Sequence, residues 1–188
     1  MRKIVLYTLT SLDGAVDDPR RYFPDTDLSV PSAPVFDPVL VDLEARMIDT
    51  QDAVILGRGM YDQWARYWPT SDEQPFADFI NTVRKYVVTS TPLTTSWNNA
   101  EAVAGPVAEL VRDLKAQPGG DIGVHGSIKL AQSLLTAGLV DELHLALGPV
   151  ADPTGRRLFE NLDDLRRLEL LSATPTPSGA VWLAYRLL

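Results

Sequence analysis

Short runs of apolar residues alternate along the chain with segments in which apolar residues recur every three or four positions. The run at 4–9 is typical of a buried strand, and so are the runs at 53–56 and 85–90. Between the first two runs, Asp37-Pro38 predicts a helix start, because a carboxylate can cap the first turn and proline suits it. This alternation of strands and helices predicts an α/β domain.

The stretch between the first strand and that helix, residues 15–35, shows no clean apolar period and contains four prolines. We interpret it as one long loop, and long loops inside compact domains are usually lids or binding loops.

The pattern changes after Gly138. Leucines at 143, 145 and 147 alternate with other residues, and the segments 167–174 and 180–188 are typical of further strands. Three successive strands without intervening helices predict an antiparallel edge on an otherwise parallel sheet. Since the chain shows no repeat or linker, we expect a single domain over residues 1–188.

A glycine-containing junction follows the second predicted strand. Gly57-Arg58-Gly59 opens a helix there, a context in which backbone N–H groups meet phosphate. The third predicted strand ends in Thr89-Ser90 and offers no carboxylate for a ribose 2′-hydroxyl. Arg58 with the two hydroxyls would suit a 2′-phosphate, since a guanidinium matches phosphate oxygens. The alternative, a glycine turn with a surface arginine, stays equally open.

A second glycine cluster, residues 119–127, lies at another strand-to-helix junction. Glycine lets the backbone approach a ligand, and Ser127 can either cap the following helix or donate to a phosphate. Because parallel strands end at the same edge of a sheet, both junctions should lie along that edge.

Asp13 is an acidic residue inside the tight turn that follows the first strand. If the long loop buries it, its pKa rises and it can bind or protonate a nitrogenous substrate. The alternative is an Asx-turn residue that only satisfies its own backbone.

Composition and charge exclude several classes of function. The 188 residues hold 17 Lys and Arg against 25 Asp and Glu, a net charge of −8, which argues against binding to nucleic acid or to anionic membranes. With no cysteine and only two histidines, we expect neither disulfides nor a metal site. No stretch approaches the ~20 apolar residues of a membrane span and the start is unlike a signal peptide, so we expect a cytoplasmic protein.

Five segments, taken in order, resemble a known family. They are residues 11–14 (SLDG), 56–61 (LGRGMY), 85–90 (KYVVTS), 126–127 (GS) and 138–143 (GLVDEL). The ordered set resembles the dihydrofolate-reductase-like family, in particular the reductase domain of bifunctional riboflavin-biosynthesis deaminase-reductases. The resemblance runs from about residue 3 to residue 188.

The resemblance implies a three-layer α/β fold, with a mostly parallel central sheet, antiparallel C-terminal strands and NADPH across the strand ends. Asp13 matches the turn aspartate that faces substrate in this branch. The positions implied at the adenosine 2′-phosphate are Gly57, Arg58, Thr89 and Ser90. Those implied at the pyrophosphate and nicotinamide are Gly123, Val124, Gly126 and Ser127.

Two departures from the family pattern concern the site. Dihydrofolate reductases usually carry Gly-Gly where this chain has His125-Gly126. The segment 149–155 (PVADPTG) also differs from the frequent Pro-Val-x-x-Gly-x-Gly.

The sequence thus predicts an NADPH-dependent reductase of a small heterocyclic or nucleoside-like substrate, similar to 5-amino-6-(5-phosphoribosylamino)uracil reductases. One alternative is a dihydrofolate reductase, which needs a helix carboxylate facing the pterin, either Asp42 or Glu44. Another is a non-catalytic NADP-binding protein. We also expect a homodimer, because the C-terminal strands and aromatic residues exceed what one small sheet covers and because such relatives are commonly dimeric.

Overall fold

Apolar side chains on alternate positions of the inner strands face two separate cores. The computed structural model, which describes residues 1–23, 36–160 and 162–188, places Val5 and Tyr7 in one core and Ile4 and Leu6 in the other. Strands with apolar side chains on both faces need helices on both faces, and each core is closed by helices. The result is a three-layer α/β arrangement, as predicted.

The described residues form one sheet of eight strands. The strands are β1 (Ile4–Thr10), β2 (Gln51–Gly57), β3 (Arg84–Val88), β4 (Ala100–Val103), β5 (Asp121–His125), β6 (Glu142–Leu147), β7 (Leu168–Pro175) and β8 (Val181–Leu187). The helices are α1 (Pro19–Tyr22), α2 (Pro38–Asp49), α3 (Arg58–Tyr67), α4 (Phe76–Thr82), α5 (Val107–Lys115) and α6 (Ile128–Thr136). A 3₁₀ turn at Trp68–Thr70 follows α3.

The strand order is β4-β3-β2-β5-β1-β6-β8-β7. Neighbours from β4 to β6 pair in parallel, whereas β8 runs antiparallel to both β6 and β7. The predicted mixed sheet with an antiparallel C-terminal edge is therefore confirmed. No helix in the described part of the chain has the length and apolar character that a bilayer crossing requires.

Asp37 caps α2 as predicted. Its carboxylate accepts hydrogen bonds from the backbone N–H groups of Val39 and Leu40 at 2.9 and 3.1 Å. The same carboxylate accepts from the Ser178 hydroxyl at 2.6 Å, which ties the start of α2 to the β7–β8 hairpin. These bonds hold the pKa of Asp37 at about 2, against the opposing effect of partial burial.

Three local predictions differ from the structure. Strand β3 ends at Val88, so Thr89 and Ser90 lie in the following loop. Strand β4 was not predicted, because Ala100–Val103 is short, contains a glutamate and lies at an exposed sheet edge. Residues 19–22 form a single helical turn within the expected loop. Residues 24–35 of that loop, including Pro24, Pro31 and Pro34, lie outside the described residues.

Candidate functional site

The carboxyl ends of five parallel strands lie along one edge of the sheet. In spatial order, this edge carries the segments that follow β3, β2, β5, β1 and β6. Neighbouring strands are about 4.8 Å apart, so the ends of β3 and β1 are separated by roughly 14 Å. An elongated ligand could therefore contact all of these segments at once.

Gly57 and Ser127 join the two predicted junctions directly. The Gly57 N–H donates to Ser127 Oγ at 2.9 Å, so Ser127 bonds the neighbouring junction and not its own helix. A Cβ on Gly57 would lie 3.3 Å from that Oγ, which is tighter than ordinary contact. The bond holds the N-termini of α3 and α6 side by side, with unpaired backbone N–H groups at each start.

Gly126 turns the chain between β5 and α6. Its φ of +75° is in the left-handed region that favours glycine. A Cβ there would also lie 2.8 Å from Met60 Cε and 3.3 Å from Trp64 Cζ2, both on α3. This close approach survives the replacement of Gly-Gly by His125-Gly126, because only the second position requires glycine.

Arg58 is the first residue of α3 and is largely enclosed. Its Nε donates to both carboxylate oxygens of Asp62 at 2.9 Å. Its Nη1 donates to Thr91 Oγ1 at 2.7 Å and to the Pro92 carbonyl at 2.9 Å, while Thr89 Oγ1 is 3.5 Å away. Arg58 therefore holds the loop after β3 against the start of α3, which brings Thr89 beside Gly57.

The Cβ positions of Gly123 and Val124 face the protein interior and not this edge. Val124 is fully buried in one core. A Cβ on Gly123 would lie 2.0 Å from Gln51 Oε1, so the glycine makes room for the 2.9 Å hydrogen bond between Gln51 and His125. Of the predicted positions, the structure brings together Gly57, Arg58, Thr89, Gly126 and Ser127, and places exposed Ser90 beside Thr89.

Asp13 lies at the same edge, in the turn after β1, and joins two loops. Its Oδ1 accepts from Ser11 Oγ at 2.7 Å and from the Asp152 N–H at 2.8 Å. Its Oδ2 accepts from Arg157 Nη2 at 2.9 Å. The carboxylate thus binds the loop of residues 148–158, and it is more than a residue that satisfies its own backbone.

The expected rise in the pKa of Asp13 is wrong. The hydrogen bond from Ser11, the bond from the Asp152 backbone and the charge of Arg157 hold its pKa below the usual value. The side chain is also exposed in the structure. Asp13 is therefore ionised near neutral pH and acts as a hydrogen-bond acceptor there.

Glu44 is a buried carboxylate that the sequence analysis considered only for a dihydrofolate reductase. It lies on α2 with 6% of its surface exposed, beside the equally buried Tyr7 of β1. Burial raises the pKa of Glu44 to about 7, while a hydrogen bond with Tyr7 lowers it and the charge of Glu73 raises it further. Asp42, the other candidate on this helix, is exposed and pairs with Arg46 at 2.7 Å.

An aromatic wall connects Glu44 with the strand ends. Trp64, which approaches Gly126, packs on Phe76, and Phe76 packs on His125 with ring centroids 5.4 Å apart. His125 in turn lies 5.9 Å from the Tyr7 ring. Burial lowers the pKa of His125 to about 3, so this histidine is a neutral member of the wall.

The burial of Glu44 had a signal in the sequence. Residues 40, 44, 47 and 48 share one helix face, and three of them are Leu, Met and Ile. A carboxylate within such a stripe must be buried beside the apolar residues. In the described part of the chain, no group of three acidic, histidine or cysteine side chains is arranged to hold a metal ion.

Comparisons with known proteins show what this sequence is similar to. Residues 2–182 match the model of the RibD C-terminal domain. The uncharacterized protein YyaP of Bacillus subtilis is 29% identical over 138 residues, which cover 71% of this chain and 73% of that protein.

Two solved structures show the same fold. A putative riboflavin biosynthesis protein from Shewanella sp. PV-4 is 19% identical with a TM-score of 0.73, and the match covers 99% of each chain. Dihydrofolate reductase from Enterococcus faecalis, complexed with NADP(H), is 14% identical with a TM-score of 0.63, and the match covers 98% of this chain and 96% of that one.

Because Asp13 and Arg157 form one ion pair, we predict that removing either partner exposes the loop of residues 148–158 to proteolysis to the same extent. Asp13→Asn keeps the Oδ1 acceptor and removes the ion pair, and Arg157→Gln removes the same pair from the other side. Each variant should increase thermolysin cleavage within 148–158 severalfold, and the double variant should be little faster than either, because both act on one contact. Arg156→Gln is the control, since Arg156 pairs with Glu160. Unchanged cleavage in Asp13→Asn, or additive effects in the double variant, would contradict this role.

Proposed function

Because the chain belongs to the RibD C-terminal domain family, we propose that it is an NADPH-dependent reductase of a small heterocyclic or nucleoside-like substrate. The family predicted from the sequence is confirmed by this membership. The observation that carries the proposal is the hydrogen bond from Gly57 to Ser127, which holds two helix N-termini together at the strand ends.

The residues at this edge fit a dinucleotide. Helix N-termini favour anions because their first N–H groups are unpaired and their dipoles are positive there, which suits a pyrophosphate between α3 and α6. Ser127 Oγ accepts from Gly57, and its own O–H can donate to an anion. The missing side chain at Gly126 lets Met60 and Trp64 of α3 pack closely against the start of α6. When bound there, NADPH would supply the hydride.

Arg58 and Thr89 are the residues we assign to the 2′-phosphate. The Arg58 side chain is fixed by Asp62 and by the loop after β3, so it need not lose conformational freedom on binding. Its Nε and Nη1 are engaged by Asp62 and Thr91, so we assign the phosphate contact to Nη2, whose contact with Thr94 Oγ1 is long at 3.5 Å. In a chain of net charge −8, such a local cation is needed to favour a further anionic group.

We assign substrate binding and proton donation to two carboxylates that lie in opposite environments. Asp13 stays ionised, so we assign it to accept a substrate N–H and to position the loop of residues 148–158. Glu44 holds a proton up to about pH 7, so we assign it as the proton source for the reduced substrate. Such a pair of shifted carboxyl groups is the pattern that acid catalysis near neutral pH requires.

Dihydrofolate reduction is the second candidate, and Glu44 is the observation that favours it. That activity needs a helix carboxylate facing the pterin, and α2 presents Glu44 on its buried side. NADPH oxidation assayed with dihydrofolate and, separately, with a 5-amino-6-(ribosylamino)uracil phosphate separates the two candidates. Cofactor binding with turnover of neither would favour the non-catalytic alternative.

The variant Arg58→Ala tests the cofactor assignment. Losing a charged hydrogen bond costs roughly 1.5–3 kcal/mol, so NADPH affinity should fall about tenfold to a hundredfold while NADH affinity changes little. Isothermal titration calorimetry with both cofactors measures this. Arg66→Ala, an exposed arginine in the last turn of the same helix, is the matched control. An unchanged ratio of NADPH to NADH affinity in Arg58→Ala would mean that the 2′-phosphate binds elsewhere.

The variant Glu44→Gln tests the proton source. Because the pKa is raised from 4.5 to about 7, the folded state keeps a proton that the unfolded state releases. Stability from this group is present below pH 4.5 and is lost as the pH rises toward 7. Denaturant unfolding should show this decline in the wild type and in Asp42→Asn, and a weaker decline in Glu44→Gln.

Turnover gives the second measurement on Glu44. In the wild type it should fall as the pH rises through about 7, where Glu44 loses its proton. Glu44→Gln should reduce turnover by at least about tenfold, within the range of a positioned acid, and should abolish that limb of the profile. Full turnover in Glu44→Gln with the same pH profile would exclude Glu44 as the proton source.

A further inference from the structure

Both histidines of the chain flank Tyr7 in the sheet. In the parallel pairing of β1 with its two neighbours, Tyr7 is in register with His125 of β5 and with His144 of β6. Residues in register on neighbouring strands lie on the same face of a sheet. Tyr7 shares its core with the apolar residues of α2, the helix that carries Glu44. The three side chains therefore form a row on the face that α2 covers.

Ring contacts fix the orientation of the Tyr7 side chain. Its ring stacks on Trp182 of β8, with centroids 5.1 Å apart and 26° between the planes, and the ring of His125 meets it nearly edge-on. The ring of His144 packs against Trp182 at 5.7 Å, which supports the stack from its other side. With 6% of its surface exposed, Tyr7 needs a hydrogen-bond partner for its hydroxyl inside the protein.

The Glu44 carboxyl group is that partner, and Tyr7 is the donor of the bond. Burial and the neighbouring carboxylate raise the pKa of Tyr7 well above its ordinary value, so the hydroxyl keeps its proton. The bond lowers the pKa of Glu44, as a donor to the carboxylate must. A protonated carboxyl group carries its O–H on one of its two oxygens. When Tyr7 donates to one oxygen, the proton of Glu44 lies on the other.

Further titratable groups surround this pair of side chains. Glu73, in the segment before α4, raises the pKa of Glu44, and Arg20 of α1 acts on Glu73 in the opposite direction. Burial lowers the pKa of both His125 and His144, so both imidazoles are neutral near pH 7. Neither histidine therefore supplies a positive charge that would draw the proton from Glu44.

We propose that Tyr7 is the positioning residue for Glu44: its hydroxyl binds one carboxyl oxygen and so leaves the proton on the oxygen that is free for the substrate. This role rests on the function proposed for Glu44 as the proton source. The proton passes from Glu44 to the reduced substrate, and the carboxylate keeps the Tyr7 bond until it takes a proton from water. Because packing already fixes the Tyr7 ring, the donor needs no rearrangement during the reaction.

The variant Tyr7→Phe tests the proposal, because it removes the hydroxyl and keeps the ring in its stack. In a chain with ¹³C-labelled glutamate side chains, the carboxyl signal of Glu44 is assigned with Glu44→Gln and titrated with pH. The pKa of Glu44 should rise from about 7 by about one pH unit, because the carboxylate loses a donor. Tyr61→Phe is the matched control, since Tyr61 is equally buried and donates to the Thr95 carbonyl at 2.6 Å. It should leave the titration of Glu44 unchanged.

Turnover separates positioning from a structural role of Tyr7. At pH 7 and saturating cofactor, kcat of Tyr7→Phe should fall about tenfold, because the proton is no longer held on one oxygen, while KM for the substrate stays within about twofold. The decline of turnover at high pH should move upward together with the pKa of Glu44. More of Glu44 is protonated at pH 7 in this variant, so the lower kcat reports the orientation of the proton and not its supply.

Two results would overturn the proposal. An unchanged pKa of Glu44 in Tyr7→Phe would mean that the hydroxyl does not hold the carboxyl group. A raised pKa with wild-type kcat would mean that the orientation of the proton does not matter. A wild type that reduces neither substrate would instead overturn the proposed function, and with it any role of Tyr7 in the reaction. The titration of Glu44 distinguishes the two failures, since it reports the contact with Tyr7 without any turnover.

Discussion

The parallel pairing of β2, β5 and β1 is the constraint on which the candidate site depends. These strands are buried on both faces, so they are fixed in the centre of the sheet between two layers of helices. Parallel register places Gly57, Gly126 and Asp13 at the same edge, although they are far apart in sequence. The Gly57–Ser127 hydrogen bond then fixes two helix starts at a single place.

Short sequence patterns predicted the helix start and the strands that depend on residues close together in the chain. The Asp37-Pro38 start of α2 was predictable because the capping carboxylate acts within its own turn. Strand β6 was predictable because its leucines at 143, 145 and 147 alternate with other residues. The end of β3 was misplaced by two residues, since nothing in Val-Val-Thr-Ser specifies where pairing stops. Strand β4 exists through its pairing with β3, which its own four residues do not encode.

Contacts between residues far apart in the chain determine the side-chain environments that sequence patterns did not predict. Asp13 was correctly placed in a turn at the edge, but its pKa is lowered by a hydrogen bond from Ser11 and by contacts with Asp152 and Arg157, which lie more than a hundred residues away. Gly123 was expected beside a ligand, yet its missing side chain accommodates Gln51 and His125 inside the protein. The burial of Glu44 had a local signal, but its contact with Tyr7 depends on the packing of α2 against β1.

The central claim is that the strand ends between α3 and α6 bind a nicotinamide dinucleotide. A titration of the ¹⁵N-labelled chain with NADPH, followed by amide chemical shifts, tests it most directly. The account predicts saturable shifts concentrated at the backbone amides of residues 57–60 and 126–129. Absence of binding, or shifts concentrated at the opposite edge of the sheet around Lys3 and Arg186, would contradict it.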